Sequence, residues 1–531
     1  MSRILESVSA FAARVTLARG RMSAAIALAA GALSALAMPP FSAWPVLFVT
    51  FPVAVWLIDG ASGPSRWSSA RAAAAIGFAF GFGYFLAGLW WIGSAFLVDA
   101  DVFGWLLPFA VAGLPALLAI FHAAAFAFAR LIWTPGCRRA LAFAAALGLG
   151  ELARGHVFTG FPWNSFGYAL ADQAWFGQFA SVIGVEGLTY LALAIFAAPA
   201  LLADPKPAKS YLVTALATLV ALAGFGAARL AWSPAAFDEK MTVRVLQPEI
   251  PQDMKSQDSA RDTIMDAYMA LTDEAKDPRH RGFSDARLVV WPESAFPFML
   301  SRTPDALARI GSSLAPGAAL VTGSVRGERR PDESGEADFW NSIHVVGDDG
   351  SIRGTYDKIH LVPFGEYLPF QSALEAIGLE ALTRQRGGFA TGDRRAVIAL
   401  PDGKRFRPLI CYEAIFPEEV EGDQRPDFLL NVTNDAWFGR TPGPYQHAAQ
   451  ARVRTIEQGL PMVRSANGGI SSIVDSHGRI VAAAKLGERR VVDALLPLPI
   501  ESTVFVATHG LLHLAFPVVF LCLVFARRSR V

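Results

Sequence analysis

Charged residues are scarce in this chain, at 18% of its 531 residues, and cysteine occurs only three times. The formal net charge of +1 carries no bulk signature of a nucleic-acid-binding protein or of a receptor for acidic substrates. Hydrophobic residues make up 53% of the chain, more than a soluble protein can usually hide while keeping its surface polar. The composition therefore predicts a membrane protein, and the length allows two or three domains.

Several common catalytic signatures are missing. The sequence contains no Walker phosphate-binding loop, no dinucleotide fingerprint, no His-Glu-x-x-His zinc site and no Gly-x-Ser-x-Gly serine elbow. We therefore expect neither a cofactor nor a metal. Internal repeats and low-complexity linkers are absent as well.

The apolar residues cluster in runs long enough to cross a bilayer as helices, which takes about 17 to 25 residues. They predict about eight transmembrane helices, near 23–39, 44–58, 72–98, 104–133, 138–154, 179–203, 211–229 and 507–526. The run at 138–154 is the least regular, since Glu151 and Arg154 lie near its end. Residues 1–230 are thus predicted to form a transmembrane bundle, and residues 507–531 a last transmembrane helix with a basic tail.

The basic residues predict the orientation of these helices. Arginines and lysines lie before the first run, in alternate loops after it and at the end of the chain, whereas the opposite loops carry Asp99, Asp101 and Asp172. Positive loops stay cytoplasmic. Both termini are therefore expected on the cytoplasmic side of a bacterial inner membrane, and residues 231–506 on its periplasmic side.

Residues 231–506 have the composition of an ordinary globular domain. Strands are predicted at 242–247, 287–291, 318–324, 340–347, 395–400, 405–411, 427–432 and 470–475, with helices near 257–275 and 444–459. Alternating strands and helices over a segment of this length predict an α/β domain with buried sheets.

Cys411 is the candidate nucleophile of this domain. The topology places Cys137 in a cytoplasmic loop and Cys522 in the last span, so Cys411 has no disulfide partner on its side of the membrane. A lone thiol in an oxidising compartment is either buried or used. Cys411 ends an apolar strand, a position that presents a nucleophile to a cleft. A buried core cysteine is the alternative interpretation.

Two further segments place a charged residue just beyond a strand. Glu293 follows the strand at 287–291 after a proline, and Lys358 lies in a loop that contains proline and glycine. Taken alone, Glu293 is typical of a surface carboxylate and Lys358 of a solvated lysine. Their occurrence in one domain, in the order Glu, Lys, Cys, favours a shared catalytic site.

These segments resemble a known family. Trp291-Pro292-Glu293-Ser294, the stretch from Lys358 to Glu366, and Cys411-Tyr412-Glu413 resemble the Glu–Lys–Cys triad of the nitrilase (carbon–nitrogen hydrolase) superfamily. The segment 434–439, Asn-Asp-Ala-Trp-Phe-Gly, strengthens the resemblance. With apolar runs on both flanks, the whole chain is similar to the apolipoprotein N-acyltransferases.

The resemblance implies a fold, a reaction and a set of roles. The fold is a nitrilase-like αββα sandwich inserted in an all-α transmembrane bundle. A phospholipid, with phosphatidylethanolamine as the expected donor, passes an acyl chain through a Cys411 thioester to the α-amine of the N-terminal S-diacylglyceryl cysteine of an apolipoprotein. Glu293 is the implied general base, and Lys358 the charge that stabilises the oxyanion. Supporting positions are Glu366, Tyr412 and Glu413.

Some readings stay open at this point. The family often carries a tryptophan where this chain has Ser256, so the residue that takes its place is not identified. A membrane-tethered carbon–nitrogen hydrolase (an amidase) would share the triad, but a single anchor would suffice for it. A transporter with an external receptor domain would predict more polar residues within the spans. A Cys–His pair of Cys411 with His360 or His447 explains fewer residues than the Glu–Lys–Cys pattern.

Overall fold

The computed structural model describes residues 2–275, 282–330, 337–376, 381–382, 388–422 and 424–526. The chain forms two compact units, which are Met1–Gly93 with Leu107–Ser233 and Thr503–Val531, and Ser94–Leu106 with Pro234–Ser502. The segment Ser94–Leu106, which the sequence places at the ends of two spans, therefore groups with the second unit. The predicted basic tail at 527–531 lies outside the described residues.

The first unit is helical. Its α-helices are Ser2–Leu17, Arg21–Ser34, Leu47–Gly60, Arg66–Leu89, Leu107–Leu131, Arg138–His156, Tyr168–Ala171, Ala180–Ala197, Lys209–Trp232, Val504–Ala507 and Ala515–Phe525. With their helical extensions, five stretches of the described chain are long and apolar enough to cross a membrane: Arg66–Leu97, Ala100–Leu131, Arg138–Thr159, Phe176–Ala203 and Lys209–Trp232. Shorter apolar helices at Arg21–Ala37, Trp44–Gly60 and Leu511–Phe525 overlap the other three predicted runs.

Small residues allow two of these helices to approach closely. A Cβ added at Gly31 would lie 1.9 Å from the carbonyl oxygen of Phe80, and one added at Gly83 would lie 2.1 Å from that of Leu28. The helices Arg21–Ser34 and Arg66–Leu89 are therefore in backbone contact at these glycines. Close backbone packing at small residues is a usual source of helix association in membranes, where burial of apolar surface gives little driving force.

The charges near the end of the helix Arg138–His156 are buried and paired. Arg154 Nη2 lies 2.7 Å from Glu151 Oε2, and His122 Nε2 lies 2.8 Å from Glu151 Oε1. Arg154 Nη1 also donates to the carbonyl oxygen of Trp163 at 3.0 Å. Buried ions persist in such surroundings only when they are paired and hydrogen-bonded. These contacts explain why a span tolerates residues that make its sequence pattern irregular.

The second unit contains two six-stranded sheets. Its strands are β1 (Phe237–Gln247), β2 (Leu288–Val290), β3 (Ala319–Arg329), β4 (Ala337–Gly347), β5 (Ile352–Asp357), β6 (Ile398–Ala399), β7 (Arg405–Ile410), β8 (Phe428–Asn434), β9 (Met462–Asn467), β10 (Ser472–Val474), β11 (Ile480–Ala483) and β12 (Arg490–Pro497). The orders are β12-β1-β2-β3-β4-β5 and β11-β10-β9-β8-β7-β6. Strands β1 to β3 pair in parallel, as do β7 to β9.

The α-helices of this unit are Ala100–Phe103, Arg261–Thr272, Pro304–Ser313, Gln371–Ala376, Pro417–Val420 and Pro442–Gln458. One buried cluster joins the facing sides of the two sheets, with Val243 and Val290 from the first sheet and Leu430 and Val432 from the second. A second cluster packs helices such as Arg261–Thr272 on the outer face of the first sheet. A third contains Ala451 of the helix Pro442–Gln458. The predicted αββα sandwich is therefore confirmed.

The sequence patterns do not predict some elements of this unit. The strands β5, β9, β11 and β12 and the helix Pro304–Ser313 are not among the predicted elements. In β9 the side chains Arg464, Ser465 and Asn467 are all buried, so the strand lacks the apolar alternation that marks a strand. In β11 all four residues are apolar, with two half-buried residues between two exposed ones, so no alternation marks a strand.

A buried ion pair ties β1 to β12. Arg244 Nε lies 2.8 Å from Asp493 Oδ1, and Arg244 Nη1 donates to the carbonyl oxygen of Thr272 at 2.6 Å. Arg244→Met leaves Asp493 as an uncompensated buried charge, so we expect it to destabilise the α/β unit by about 3–5 kcal/mol. Urea-dependent protection from proteolysis, on the whole protein in detergent, measures the change.

The matched control is Arg353→Met, since Arg353 forms an ion pair with Asp349 in which both side chains are exposed. Exposed pairs contribute at most about 1 kcal/mol. Equal effects of the two substitutions would contradict the assigned role of Arg244.

Candidate active site

Cys411 lies at the turn that follows β7. Its φ angle of 50° is in the left-handed region, which costs a non-glycine residue free energy and is concentrated at functional sites. Ser294 and Phe364 also have positive φ angles, of 45° and 63°, and each lies within two residues of a predicted site glutamate. Three such positions in segments predicted to form one site indicate that the surrounding structure imposes the backbone conformation.

Glu413 holds this turn. It is fully buried, and its Oε2 accepts a hydrogen bond from the backbone N–H of Ile410 at 2.7 Å. Its Oε1 accepts from Tyr356 Oη and from the backbone N–H of Ile359, both at 2.8 Å. Burial raises the pKa of Glu413 to about 7, although these donors act in the opposite direction. Glu413 thus ties the Cys411 turn to the end of β5.

Lys358 follows β5 and is 1% exposed, next to two carboxylates. Its Nζ lies 2.8 Å from Glu366 Oε2 and 3.8 Å from Glu293 Oε1. Asn341 of β4 bridges the two glutamates, because its Nδ2 donates to Glu293 Oε1 at 2.7 Å and to Glu366 Oε1 at 2.8 Å. The backbone N–H of Val362 donates to Glu366 Oε2 at 2.8 Å. The ammonium is therefore held between two positioned carboxylates.

The second oxygen of Glu293 contacts the other sheet. The backbone N–H of Asn434, at the end of β8, donates to Glu293 Oε2 at 2.8 Å. The side chain of Asn434 donates in turn to Gln252 Oε1 at 2.7 Å. Both sheets thus fix Glu293, and the loop after β1 is tied to the same point.

The charges of the site shift its titrating groups. Burial raises the pKa of Glu293, Lys358 lowers it and Glu366 raises it again, with a net upward shift. Burial raises the pKa of the Cys411 thiol, and so does the Glu293 carboxylate, while Lys358 acts in the opposite direction. Burial lowers the pKa of Lys358, but Glu366 and Glu293 more than offset it, so the net shift is upward. The resting site therefore combines a thiol, a carboxylate that is more basic than usual and a persistent ammonium.

Cys411, Asp435 and His447 offer ligand atoms within 4.8 Å of one another, a spacing that could hold a metal ion. These donors already have partners. Asp435 Oδ2 accepts from Arg464 Nη2 at 2.9 Å, and Asp435 Oδ1 lies 2.8 Å from His447 Nδ1. The guanidinium occupies the place of a cation beside the carboxylate, so the cluster does not fit a metal site.

Comparison with known proteins identifies the family. A profile described as apolipoprotein N-acyltransferase N-terminal domain matches residues 30–198, and one described as carbon-nitrogen hydrolase matches residues 242–500. An amidase structure from Nesterenkonia sp. aligns at 17% identity with a TM-score of 0.32, over 50% of this chain and 93% of that chain. The apolipoprotein N-acyltransferase of Rhodopseudomonas palustris is 50% identical over 94% of each chain, and that of Brucella melitensis is 48% identical over 93% of each. This chain belongs to the apolipoprotein N-acyltransferase family.

The structure brings most of the predicted site residues of this family member together. Glu293, Lys358 and Glu366 are in contact, and Cys411 lies within electrostatic range of the first two. Tyr412 is buried beside Cys411, and its ring packs edge-on against Phe416 at 4.9 Å between centroids.

The two histidines considered for a Cys–His pair differ in their surroundings. His360 stacks on Phe416 at 4.0 Å, and its Nδ1 lies 3.3 Å from Glu419 Oε1. The Nε2 atom of His447 lies 3.1 Å from the backbone carbonyl oxygen of Cys411. His447 is therefore the histidine next to the Cys411 turn.

Three polar residues of the candidate site have no predicted role. An asparagine inside an apolar strand is unusual, and this is the one sequence signal for Asn341. Asn434 belongs to a segment that resembles the family, but its backbone contact with Glu293 has no sequence signal.

Lys255 is buried, its Nζ has no hydrogen-bond partner among the described residues, and it interacts electrostatically with Glu293. Burial lowers the pKa of Lys255 to about 7. The side chain of Ser256, next to it, lies outside the described residues.

Lys255 gives a stability prediction. Lys255→Met removes a buried amine that lacks a hydrogen-bond partner, so we expect the free energy of unfolding to rise by about 1–3 kcal/mol at pH 7. Urea-dependent proteolysis measures it, with the exposed Lys240→Met as a control that stays within about 0.5 kcal/mol of the parent. A destabilised Lys255→Met protein would show that the ammonium has a stabilising partner.

Proposed function

We propose that this chain transfers an acyl chain from a phospholipid, through a thioester on Cys411, to the α-amine of the N-terminal S-diacylglyceryl cysteine of apolipoproteins. The observation that carries the proposal is the buried arrangement of Glu293, Lys358, Glu366 and Asn341 within electrostatic range of the Cys411 turn. It occurs in a chain whose relatives, matched over 94% of their length, are named apolipoprotein N-acyltransferase.

In the first stage Glu293 takes the Cys411 proton as Sγ attacks the carbonyl carbon of a phospholipid ester. The pKa shifts keep the proton on the thiol until then, and the raised basicity of Glu293 favours its transfer. The Lys358 ammonium stabilises the developing oxyanion. When the tetrahedral intermediate collapses, the C–O bond breaks and Glu293 returns the proton to the departing lysophospholipid oxygen. A thioester remains on Cys411.

In the second stage the neutral α-amine of the acceptor attacks the thioester carbonyl. Glu293 takes a proton from the attacking nitrogen, and Lys358 again stabilises the oxyanion. The C–S bond then breaks, an amide forms and the Glu293 proton returns to Cys411 sulfur. A thioester is more reactive toward an amine than an oxyester, so two accessible steps replace one slow step.

Glu366 and Asn341 prepare this chemistry without taking part in proton transfer. Glu366 lies nearer to Lys358 than Glu293 does, at 2.8 Å against 3.8 Å, so it is the principal counter-charge of the ammonium. Asn341 neutralises neither glutamate but fixes both. Glu293 thereby stays close to Lys358 without forming a tight ion pair that would reduce its basicity.

An amidase is the alternative with the same triad. The relatives at 50% and 48% identity are named as acyltransferases and match the helical part of the chain as well as the α/β part, which disfavours this alternative. We infer that the helices serve lipid substrates.

The proposed arrangement in the membrane follows from the basic loops. We infer that residues 1–230 and 507–531 form the transmembrane part, that both termini are cytoplasmic and that residues 231–506 are periplasmic. Five apolar helices of the described chain support membrane insertion.

The triad makes a direct prediction. Purified enzyme mixed with phosphatidylethanolamine and no acceptor is expected to gain the mass of one acyl group on Cys411 and to release about one equivalent of lysophospholipid. Cys411→Ala and Glu293→Gln should give no adduct. Lys358→Arg should give very little, since the larger guanidinium does not fit between two positioned carboxylates. Intact-mass spectrometry measures the adduct, and Lys240→Met is the active control. An adduct in Cys411→Ala would contradict the mechanism.

The raised pKa of Glu293 predicts the pH dependence of the first stage. Glu293 accepts a proton only when ionised, so the rate of thioester formation should fall as the pH decreases through a value above the ordinary glutamate pKa of about 4.3. Glu366→Gln removes a neighbouring negative charge that raises this pKa, so the acidic limb should move to lower pH. Rapid-quench kinetics at a series of pH values measures both profiles. If Glu366→Gln leaves the acidic limb of the rate profile unchanged, that limb reports the titration of a group other than Glu293.

Cysteine labelling tests the orientation. Asp402 and Ser62 are both exposed. We choose Ser62 rather than Ser65 because the Ser65 side chain caps the helix Arg66–Leu89. In a background without the native cysteines, an impermeant maleimide should label Asp402→Cys, but not Ser62→Cys, in cells with a permeabilised outer membrane. Both should react after lysis. The reverse pattern would place the α/β unit in the cytoplasm.

A further inference from the structure

The backbone of Cys411 needs support from both sides of its turn. Its positive φ angle costs a non-glycine residue free energy, which the surrounding contacts must offset. Glu413 supports one side of the turn, because its carboxylate accepts a hydrogen bond from the backbone N–H of Ile410, the residue before Cys411. On the other side of the turn, the carbonyl group of Cys411 contacts a different side chain.

That side chain is His447. It is fully buried on the helix Pro442–Gln458, and its Nε2 lies 3.1 Å from the carbonyl oxygen of Cys411. A carbonyl oxygen only accepts hydrogen bonds, so Nε2 must carry the proton and donate it. The helix thus reaches the turn through one hydrogen bond.

Asp435 and Arg464 fix the other side of the His447 ring. Asp435 Oδ1 lies 2.8 Å from His447 Nδ1 and accepts from Thr433 Oγ1 at 2.7 Å, and Asp435 Oδ2 lies 2.9 Å from Arg464 Nη2. Burial raises the pKa of Asp435, but His447 and Arg464 more than offset it, so the net shift is downward and the carboxylate persists. The ring is therefore held in one orientation by a buried ion pair between β8 and β9.

We propose that His447 is a positioning residue, whose hydrogen bond to the Cys411 carbonyl holds the nucleophile in the left-handed conformation that directs Sγ toward Glu293 and Lys358. The peptide group is planar, so fixing the carbonyl fixes the plane that joins Cys411 to Tyr412 and, with Glu413, the direction of the Cα–Cβ bond. The consequence for thioester formation rests on the proposed function, whereas the consequence for thiol reactivity does not.

A direct proton-transfer role for His447 makes a different prediction. A ring nitrogen of His447 and Cys411 Sγ lie within 4.8 Å, which would allow a small adjustment to pair them. Glutamine can donate a hydrogen bond from its amide but cannot act as a base at neutral pH. His447→Gln therefore separates the two roles, and His447→Leu removes both.

The experiment measures Cys411 in two ways, by the rate of thioester formation from phosphatidylethanolamine and by the rate of alkylation with iodoacetamide across a pH series. His344→Leu is the matched control, because His344 is equally buried in β4, where its Nδ1 contacts Thr355 Oγ1 at 3.0 Å. Thermal unfolding of each variant in detergent reports whether it is folded.

We expect His447→Leu to form the thioester on the order of 100-fold more slowly than His344→Leu, with little change in KM for phospholipid, since a small misplacement of reacting atoms has that effect. His447→Gln should recover most of the rate and keep the alkylation pH profile of the parent. His447→Leu with the rate of His344→Leu would overturn the proposal. So would a folded His447→Gln that is slow and has lost a limb of the alkylation profile, because that result assigns the base role to His447.

Two further outcomes are decided by the same data. If His447→Leu does not fold, the comparison of His447→Gln with the parent still discriminates between positioning and base roles. If the parent itself forms no thioester, the proposed function fails, while the alkylation rates still test the positioning of Cys411.

Discussion

The buried ammonium of Lys358, held between two carboxylates, is the constraint on which the rest of the site depends. Glu366 at 2.8 Å is its main counter-ion, and Asn341 keeps Glu293 at 3.8 Å. Burial raises the pKa values of Glu293 and Cys411, and one ammonium shared by two buried carboxylates does not offset that rise. A base that is stronger than usual and a thiol that stays protonated suit a nucleophile that is activated only during attack.

The αββα architecture supplies this constraint from two sheets. Glu293, Asn341 and Lys358 come from the first sheet or from the segments just after its strands, and Cys411 and Asn434 come from the carboxyl ends of β7 and β8. The N–H of Asn434 on Glu293 is a polar link between the halves, beside the apolar cluster that joins the sheets. The geometry of the candidate site therefore depends on packing between the sheets, which is rigid on the scale of a side chain.

The sequence predicts what is local and leaves open what depends on contacts between distant segments. Apolar runs or period-two patterns mark β1, β2, β7 and β8, and positions at or just beyond predicted strand ends single out Glu293, Lys358 and Cys411. The strand β9 escapes because several of its buried side chains are polar, and one of them, Arg464, pairs with Asp435, which lies far from it in sequence. Asn341 escapes for a related reason, and His447 is considered from the sequence only as a partner of the Cys411 thiol, not of its backbone carbonyl. Their importance lies in which atoms they contact, and neither a periodicity nor a neighbouring residue specifies a contact across two sheets.

The central claim is that the acyl group waits on Cys411 for an amine rather than for water. The enzyme can be loaded with a labelled acyl group from phosphatidylethanolamine and separated from the excess donor. One portion is then kept in buffer, and another is mixed with an S-diacylglyceryl cysteine peptide. The label should move almost entirely into the peptide amide within one turnover, stay on the enzyme in buffer, and stay there with an N-acetylated peptide. Release of the label as free fatty acid at the same rate with and without the peptide would contradict the account and favour a hydrolase.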